Sequence, residues 1–401
     1  MRSFLIVLPV AMHLATAQTS LGSHPNLMNG DMAVLEGGEQ RRDIACTVTP
    51  EKPLLGFDLK FHAGYDLDIP MRDLVGPGNT LSILFRVTAK NSTGEPVYLN
   101  QKFQVPAITD DQGHVTLEGA FDVGQGPYHV DWLIHDFVGR FCSSYWDIDA
   151  ELAANSKQVA VAMRPGAVQQ SVDEQFQPEP PVIRSQEGPQ LSVKVLMNFA
   201  PGRPDAPELD PSDRVALISI LRNISRSPQI GKFSLVAFNV DEQKILYRQD
   251  AADQIDFPEL GRAVKQNLAL GTVNLTQLQQ KHPDTEFLEQ LVKKETAGAN
   301  VDGLIFVGPK TMLNRDVPDE DLKQIGDLDY PVFYMNYTPD PQAIPWKDSV
   351  SRMVKSFKGR EYTISCPKDL WNAVTEVVSR IAKFKQARIS AAATGLNDNN
   401  R

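Results

Sequence analysis

Residues 80–88 read TLSILFRVT, with Leu81, Ile83, Phe85 and Val87 on one side. A two-residue alternation is the period of a strand with one buried face. The pattern extends outward from there. Leu55, Phe57, Leu59 and Phe61 alternate over residues 55–61, and short strands are expected at 95–104, 115–123 and 128–135. Turn-forming runs separate them: Asn91-Ser92-Thr93-Gly94, Asp110-Asp111-Gln112-Gly113 and Gly124-Gln125-Gly126-Pro127. Turn signals about every ten residues, with no long helical period between, predict an antiparallel β-sandwich over 43–163. Residues 157–163 (KQVAVAM) are expected as its last strand.

Beyond the sandwich the composition shifts. Residues 175–181 read QFQPEPP, which cannot continue a helix or an inner strand, so 164–189 is expected as a linker stiffened by proline. The period then changes again. An apolar strand at 191–197 is followed by Asp210-Pro211, a cap with proline at the first helical position, and by Leu217, Ile220, Leu221 and Ile224 at helical spacing. Strands at 233–240 and 244–248 stand too close together to be parallel, so they form a hairpin. Helices near 260–268 and 286–294, a strand at 303–307, a helix at 319–325, a strand at 331–336, a helix at 349–357 and a strand at 361–364 follow. A closing helix begins at Pro367. This alternation predicts a C-terminal α/β doubly wound, mainly parallel sheet over 190–386, with 387–401 as a disordered tail. The expected fold class is therefore multidomain: an antiparallel sandwich plus a Rossmann-like α/β unit.

That second half resembles a von Willebrand factor A domain, on its first strand, its hairpin and the run Gly271-Thr272-Val273-Asn274-Leu275-Thr276. The arrangement is similar to bacterial exported proteins labelled VWFA-related, preceded here by an Ig-like sandwich whose GPYHVDW (126–132) resembles a G-x-Y-x-V strand. The resemblance implies a metal-dependent adhesion site built from Asp-x-Ser-x-Ser, a threonine and a later aspartate. The corresponding run is Asn198-Phe199-Ala200-Pro201-Gly202, and the fourth strand leads into Gly308-Pro309-Lys310, so only Thr272 matches. An amide, one hydroxyl and a lysine do not hold Mg²⁺ against water. No metal or cofactor is expected, and Asn198, Thr272, Gly308 and Asn336 are the candidate partner-binding edge.

The start of the chain bears on compartment. Arg2, the apolar run at 4–11 (FLIVLPVA) and Ala15-Thr16-Ala17 read as a signal peptide over 1–17, with a flexible leader over 18–42. The expected location is secreted or periplasmic. There, two of the three cysteines should pair, and Cys46 with Cys142 would tie the first strand of the sandwich to the last. Cys366, before Pro367, is the odd thiol. A net charge of −10 argues against nucleic acid or an anionic membrane as the main partner, despite the short basic run of Arg352, Lys355, Lys358 and Arg360. No segment reads as a transmembrane helix.

Motifs that carry chemistry are missing from the sequence. There is no Gly-x-Ser-x-Gly elbow, Walker loop or His-Glu-x-x-His. His129, Asp131 and His135 share one face of a strand, but positions 129 and 135 lie too far apart to hold one ion easily. The Asn-x-Ser/Thr tripeptides at Asn91, Asn223, Asn274 and Asn336 are read as chance. No catalytic residue is assigned. The expectation is a non-catalytic interaction or scaffolding protein whose partner is another extracytoplasmic protein. The alternative is an exported hydrolase with an unrecognised carboxylate or cysteine site.

Overall fold

The structure is a computed structural model that describes residues 17–20, 29–38, 40–91, 94–109, 112–171, 176–202, 206, 209–268, 283–298, 300–313, 315–339 and 348–398. Residues 1–16 of the segment read as a signal peptide over 1–17 lie outside these, as does Thr272. The chain divides into two compact units, Met1–Lys157 with Val161–Val172, and Gln158–Ala160 with Asp173–Arg401.

The first unit opens with β1 (Ala17–Ser20) and α1 (Asn29–Gly37), so the stretch read as leader carries a strand and a helix. The strands β2 (Thr47–Pro50), β3 (Leu54–Leu55), β4 (Phe61–Pro70), β5 (Asn79–Ala89), β6 (Val97–Val105), β7 (His114–Val123), β8 (Gly126–His135), β9 (Phe141–Ala150) and β10 (Val168–Gln170) follow. They make two antiparallel sheets. One has the order β1-β6-β5-β8-β9, and the other β10-β7-β4-β2 with β3 paired to β4. Inward residues of both sheets meet in one core, where the Tyr65 ring sits edge-on to Phe85 and Trp132 at 5.3 and 5.8 Å. Such pairs add to the stabilisation from burial alone. The Tyr128 hydroxyl donates back to the Gly124 carbonyl at 2.8 Å, which fixes the turn entering β8. The Cys46–Cys142 disulfide is formed, with Cα atoms 6.4 Å apart, and it links the segment before β2 in one sheet to β9 in the other.

Two local expectations fail in this unit. The alternation at 55–61 is not a strand: the chain turns there, with Leu59 at a φ of 63° and no room for a Cβ at Gly56, and the long strand begins at Phe61. Residues 157–163 are not the last strand either. The Ala162 N–H donates to the Leu59 carbonyl, and β10 supplies the extra pairing on β7.

In the second unit β11 (Leu191–Asn198), α2 (Pro211–Ser225), β12 (Ile230–Asn239), β13 (Lys244–Ala252), α3 (Phe257–Leu268), α4 (Pro283–Thr296), β14 (Gly303–Pro309), α5 (Asp319–Ile325), β15 (Val332–Tyr337), α6 (Ser349–Ser356), β16 (Arg360–Ile364) and α7 (Pro367–Asp398) follow in order. Pro211 stands at the first turn of α2, whose buried stripe is Leu217, Ile220, Leu221 and Ile224. The strands form one six-stranded sheet in the order β13-β12-β11-β14-β15-β16. Four of its joins are parallel, and the β12–β13 edge is antiparallel. On one face Leu196, Phe238, Leu304, Phe306 and Tyr334 pack with residues of α4, α5 and α6. The later part of the segment read as a proline-stiffened linker is docked on this unit. Glu179 is held between Arg222 and Arg226, and Phe176 packs where Gly261 has no side chain.

The expected fold class requires correction. Nine of the thirteen strand pairings among the described residues are antiparallel, and helix accounts for 29% of those residues. The protein is mostly antiparallel β, not a sandwich joined to an α/β doubly wound domain of the von Willebrand factor A kind. The reason is physical. A β–α alternation along the chain reports local period, whereas class depends on how strands pair across the whole molecule. An open sheet with a reversed edge is also shared by unrelated folds, so it identifies no adhesion family.

Candidate functional site

The strand ends named from the sequence are closed by their own hydrogen bonds. Asn198 is buried at the end of β11, where its side-chain carbonyl accepts from the Ala200 and Val240 N–H groups and its amide donates to Thr311 Oγ1 at 3.1 Å. It is a three-way clamp. Gly308 pairs with Asn336 in register, and a Cβ there would stand 3.0 Å from that of Asn198. Asn336 is fully buried, donating to Glu361 Oε1 and accepting from Thr338 Oγ1. The structure thus brings Asn198, Gly308 and Asn336 to one edge of the sheet, as packing rather than as exposed groups.

A second cluster was not foreseen from the sequence. His62 on β4 and Asp122 on β7 are register partners, and the turn at 56–60 folds Asp58 onto the same ring. His62 Nδ1 donates to Asp122 Oδ1 at 2.8 Å and Nε2 to Asp58 Oδ1 at 3.0 Å. Lys60 Nζ lies 3.7 Å from Asp122 Oδ2, which also accepts from Gln169 Nε2. Hydrogen bonds to Asp122 and then Asp58, with their charges, outweigh burial and push His62 up to about 10. Burial opposes ionisation of Asp58, but the imidazolium holds its carboxyl below the ordinary value. These three residues offer ligand atoms within 4.8 Å of one another. The two carboxylates nevertheless take opposite ring nitrogens, which one ion could not do. Two cations against two carboxylates make a balanced ion cluster that staples the turn to the sheet.

The histidines on β8 are separated. His129 lies between Asp147 (2.7 Å) and Asp131 (3.3 Å), whereas His135 faces Asp31 of α1 at 3.9 Å. Cys366 is half-buried ahead of α7, and its thiol donates to Asp369 Oδ2 at 3.3 Å.

A broad concavity lies within the second unit. It is an open groove of about 1150 Å³ between the ends of α4 and α5 and the later turns of α7. Apolar Val301, Tyr330 and Phe384 line it together with charged Lys293, Asp329 and Arg388. Phe384 is 40% exposed, whereas the Tyr330 hydroxyl is buried without a hydrogen-bond partner among the described residues. Burial raises the pKa of that hydroxyl further, so it stays a proton donor. No sequence signal marks this groove, because its residues come from three separate segments.

No family model and no curated protein matches the chain. Among solved structures, a glycosyl hydrolase family 2 member from Bacteroides cellulosilyticus is 12% identical, with a TM-score of 0.20, over 78% of this chain and 36% of that one. A β-glucuronidase from Bacteroides uniformis is 12% identical, with a TM-score of 0.18, over 73% and 36%. A β-glucosidase from Listeria innocua is 9% identical, with a TM-score of 0.17, over 26% and 16%. The chain thus spans well under half of each, and likeness at these TM-scores assigns neither fold nor function.

Proposed function

We propose that the chain is an extracytoplasmic binding protein that takes a segment of a protein partner into the groove beside α7. The observation that carries the reading is the half-exposed Phe384 in a groove that also holds the buried Tyr330 hydroxyl, which has no partner among the described residues, and side chains of both charge signs. An apolar surface drives association, and fixed polar groups at its margin set the register of a peptide. The Cys46–Cys142 disulfide supports an oxidising compartment. Among the described residues no helix is long and apolar enough to cross a membrane.

The competing reading is an exported hydrolase, and it draws on Asp348, which burial pushes up to about 6. A carboxyl titrating there could serve as a general acid. The same carboxylate, however, accepts the Val350 and Ser351 N–H groups as the cap of α6, and Cys366 faces a carboxylate rather than a cationic activator. Capture from envelope extract, with and without chelator, tests the binding reading. Capture should be indifferent to chelator and lost in Phe384→Glu. Capture that is chelator-sensitive, or unchanged in Phe384→Glu, contradicts it.

A further inference from the structure

Residues 176–184 lie on the second unit as a peptide lies on a receptor. Among the described residues no backbone–backbone hydrogen bond joins them to the rest of the unit, and side chains hold them instead. The Phe176 ring fills the notch left by Gly261 of α3, with Lys265 Nζ over it at 5.9 Å. Three residues on, Arg226 Nε and Nη2 donate to the two oxygens of Glu179 at 2.8 and 3.0 Å. Arg222, stacked on the Phe257 ring at 4.4 Å, completes the clamp. At the far end Arg184 donates to the Ser227 and Asp253 carbonyls at 3.0 and 2.8 Å. Pro178, Pro180 and Pro181 stand exposed between these anchors. They restrict the backbone before it docks, which lowers the entropy lost on docking.

The side chains of Glu179 and Arg222 are 6% and 5% exposed, so parting them without replacement leaves charge out of water on both sides. A segment that leaves its groove therefore needs another groove, and the vacated groove another segment. Every copy of this chain carries both. The means of leaving lies directly after the segment. Gln186, Glu187, Gly188 and Pro189 are all exposed, and Gly188 takes a φ of 86° in the turn that folds the segment back. The Glu187 N–H donates only locally, to Ser185 Oγ at 3.1 Å. Opened out, four residues span roughly 13 Å.

We propose that 176–184 is an exchangeable arm. When the 186–189 turn opens, the arm enters the α2–α3 groove of a second copy of this chain, whose own arm enters the first in return. Reciprocal exchange closes a two-fold dimer in which every anchor is remade. Mass action sets the choice: a tethered arm meets its own groove at an effective concentration on the order of millimolar, so the dilute chain is closed and the concentrated chain exchanges. None of the anchors lines the groove beside α7, so either site can fail without the other.

Sedimentation velocity of the full chain tests it. The parent protein should be monomeric at micromolar concentration. Gly188→Val strains the folded-back turn, because valine rarely adopts a positive φ, whereas a Cβ at that position meets nothing within 4 Å. Each copy is then driven about tenfold toward opening, so the dimerisation constant should rise about a hundredfold. Deleting Glu187 and Gly188 leaves the turn too short to fold back and should give the same dimer. Adding Glu179→Ala to either variant should return it to monomer, since an arm without its anchor prefers neither groove. Near-UV circular dichroism matching the parent protein identifies the variants that fold. A folded turn variant that stays monomeric overturns the proposal, as does a dimer that survives Glu179→Ala.

Discussion

Replacing His62 by leucine tests the ion cluster at β4 and β7 quantitatively. The Asp122 side chain is 3% exposed, and in the variant it would keep only Lys60 at 3.7 Å and Gln169 at 3.2 Å. Removing the partner of a fully buried charge costs roughly 3–5 kcal/mol. The His62 side chain is 38% exposed, so solvent screening reduces this, and we expect about 2 kcal/mol at pH 6. The sign of the pH dependence follows from the raised pKa. His62 binds its proton more tightly folded than unfolded, so its contribution is complete below its ordinary value of 6.5. It declines as pH rises and is gone above about 10. The assay is urea unfolding of the first unit by fluorescence of its buried Trp132, for parent and variant from pH 5 to 10.5. The gap between them should shrink steadily above pH 6.5. A gap independent of pH, or one that widens with pH, would refute the bridged imidazolium.

Two further outcomes are expected. Reducing the Cys46–Cys142 bridge, with its sequence separation of 96, should cost the first unit about 4–5 kcal/mol in the chain-entropy model. Calorimetry with and without dithiothreitol should show a lower transition for that unit and an unmoved one for the second. Glu179→Ala should free the proline-rich strap from α2 at a cost of about 3 kcal/mol, since Glu179 and Arg222 are both buried. Limited proteolysis would then cut within 173–189, where the parent protein resists.

Much of the local structure was legible because apolar spacing reports period. β5, β11, α2 and α5 lie where alternation or helical spacing put them. The misreading at 55–61 shows the limit. Leu55, Phe57, Leu59 and Phe61 alternate, but Leu59 takes a left-handed backbone so that Asp58 can reach His62, and alternation does not reveal such a turn. The better strand, with Phe61, Ala63, Tyr65, Leu67 and Ile69 inward, begins where that one was thought to end. The tail beyond residue 387 was read as disordered for its small residues, yet α7 continues to Asp398, as alanine's helix propensity allows.

Fold class and sites were less legible, because both depend on contacts between distant residues. Strand direction over the whole molecule is set by pairings that local period does not encode. Asn198 and Asn336 look like ligands in sequence, but an amide clamping three strand ends is the same residue type as an amide awaiting a partner. His62 and Asp122 are 60 residues apart and meet only through the register of β4 with β7.

The reading that a partner segment lies against α7 is tested most directly by photocrosslinking. A photoreactive phenylalanine would stand at position 384, with a control at 183, where Ile183 is 92% exposed and is not among the groove-lining residues. Irradiation in envelope extract should give one discrete protein adduct from 384 and none from 183. Equal labelling from both positions, or none from 384, would contradict it.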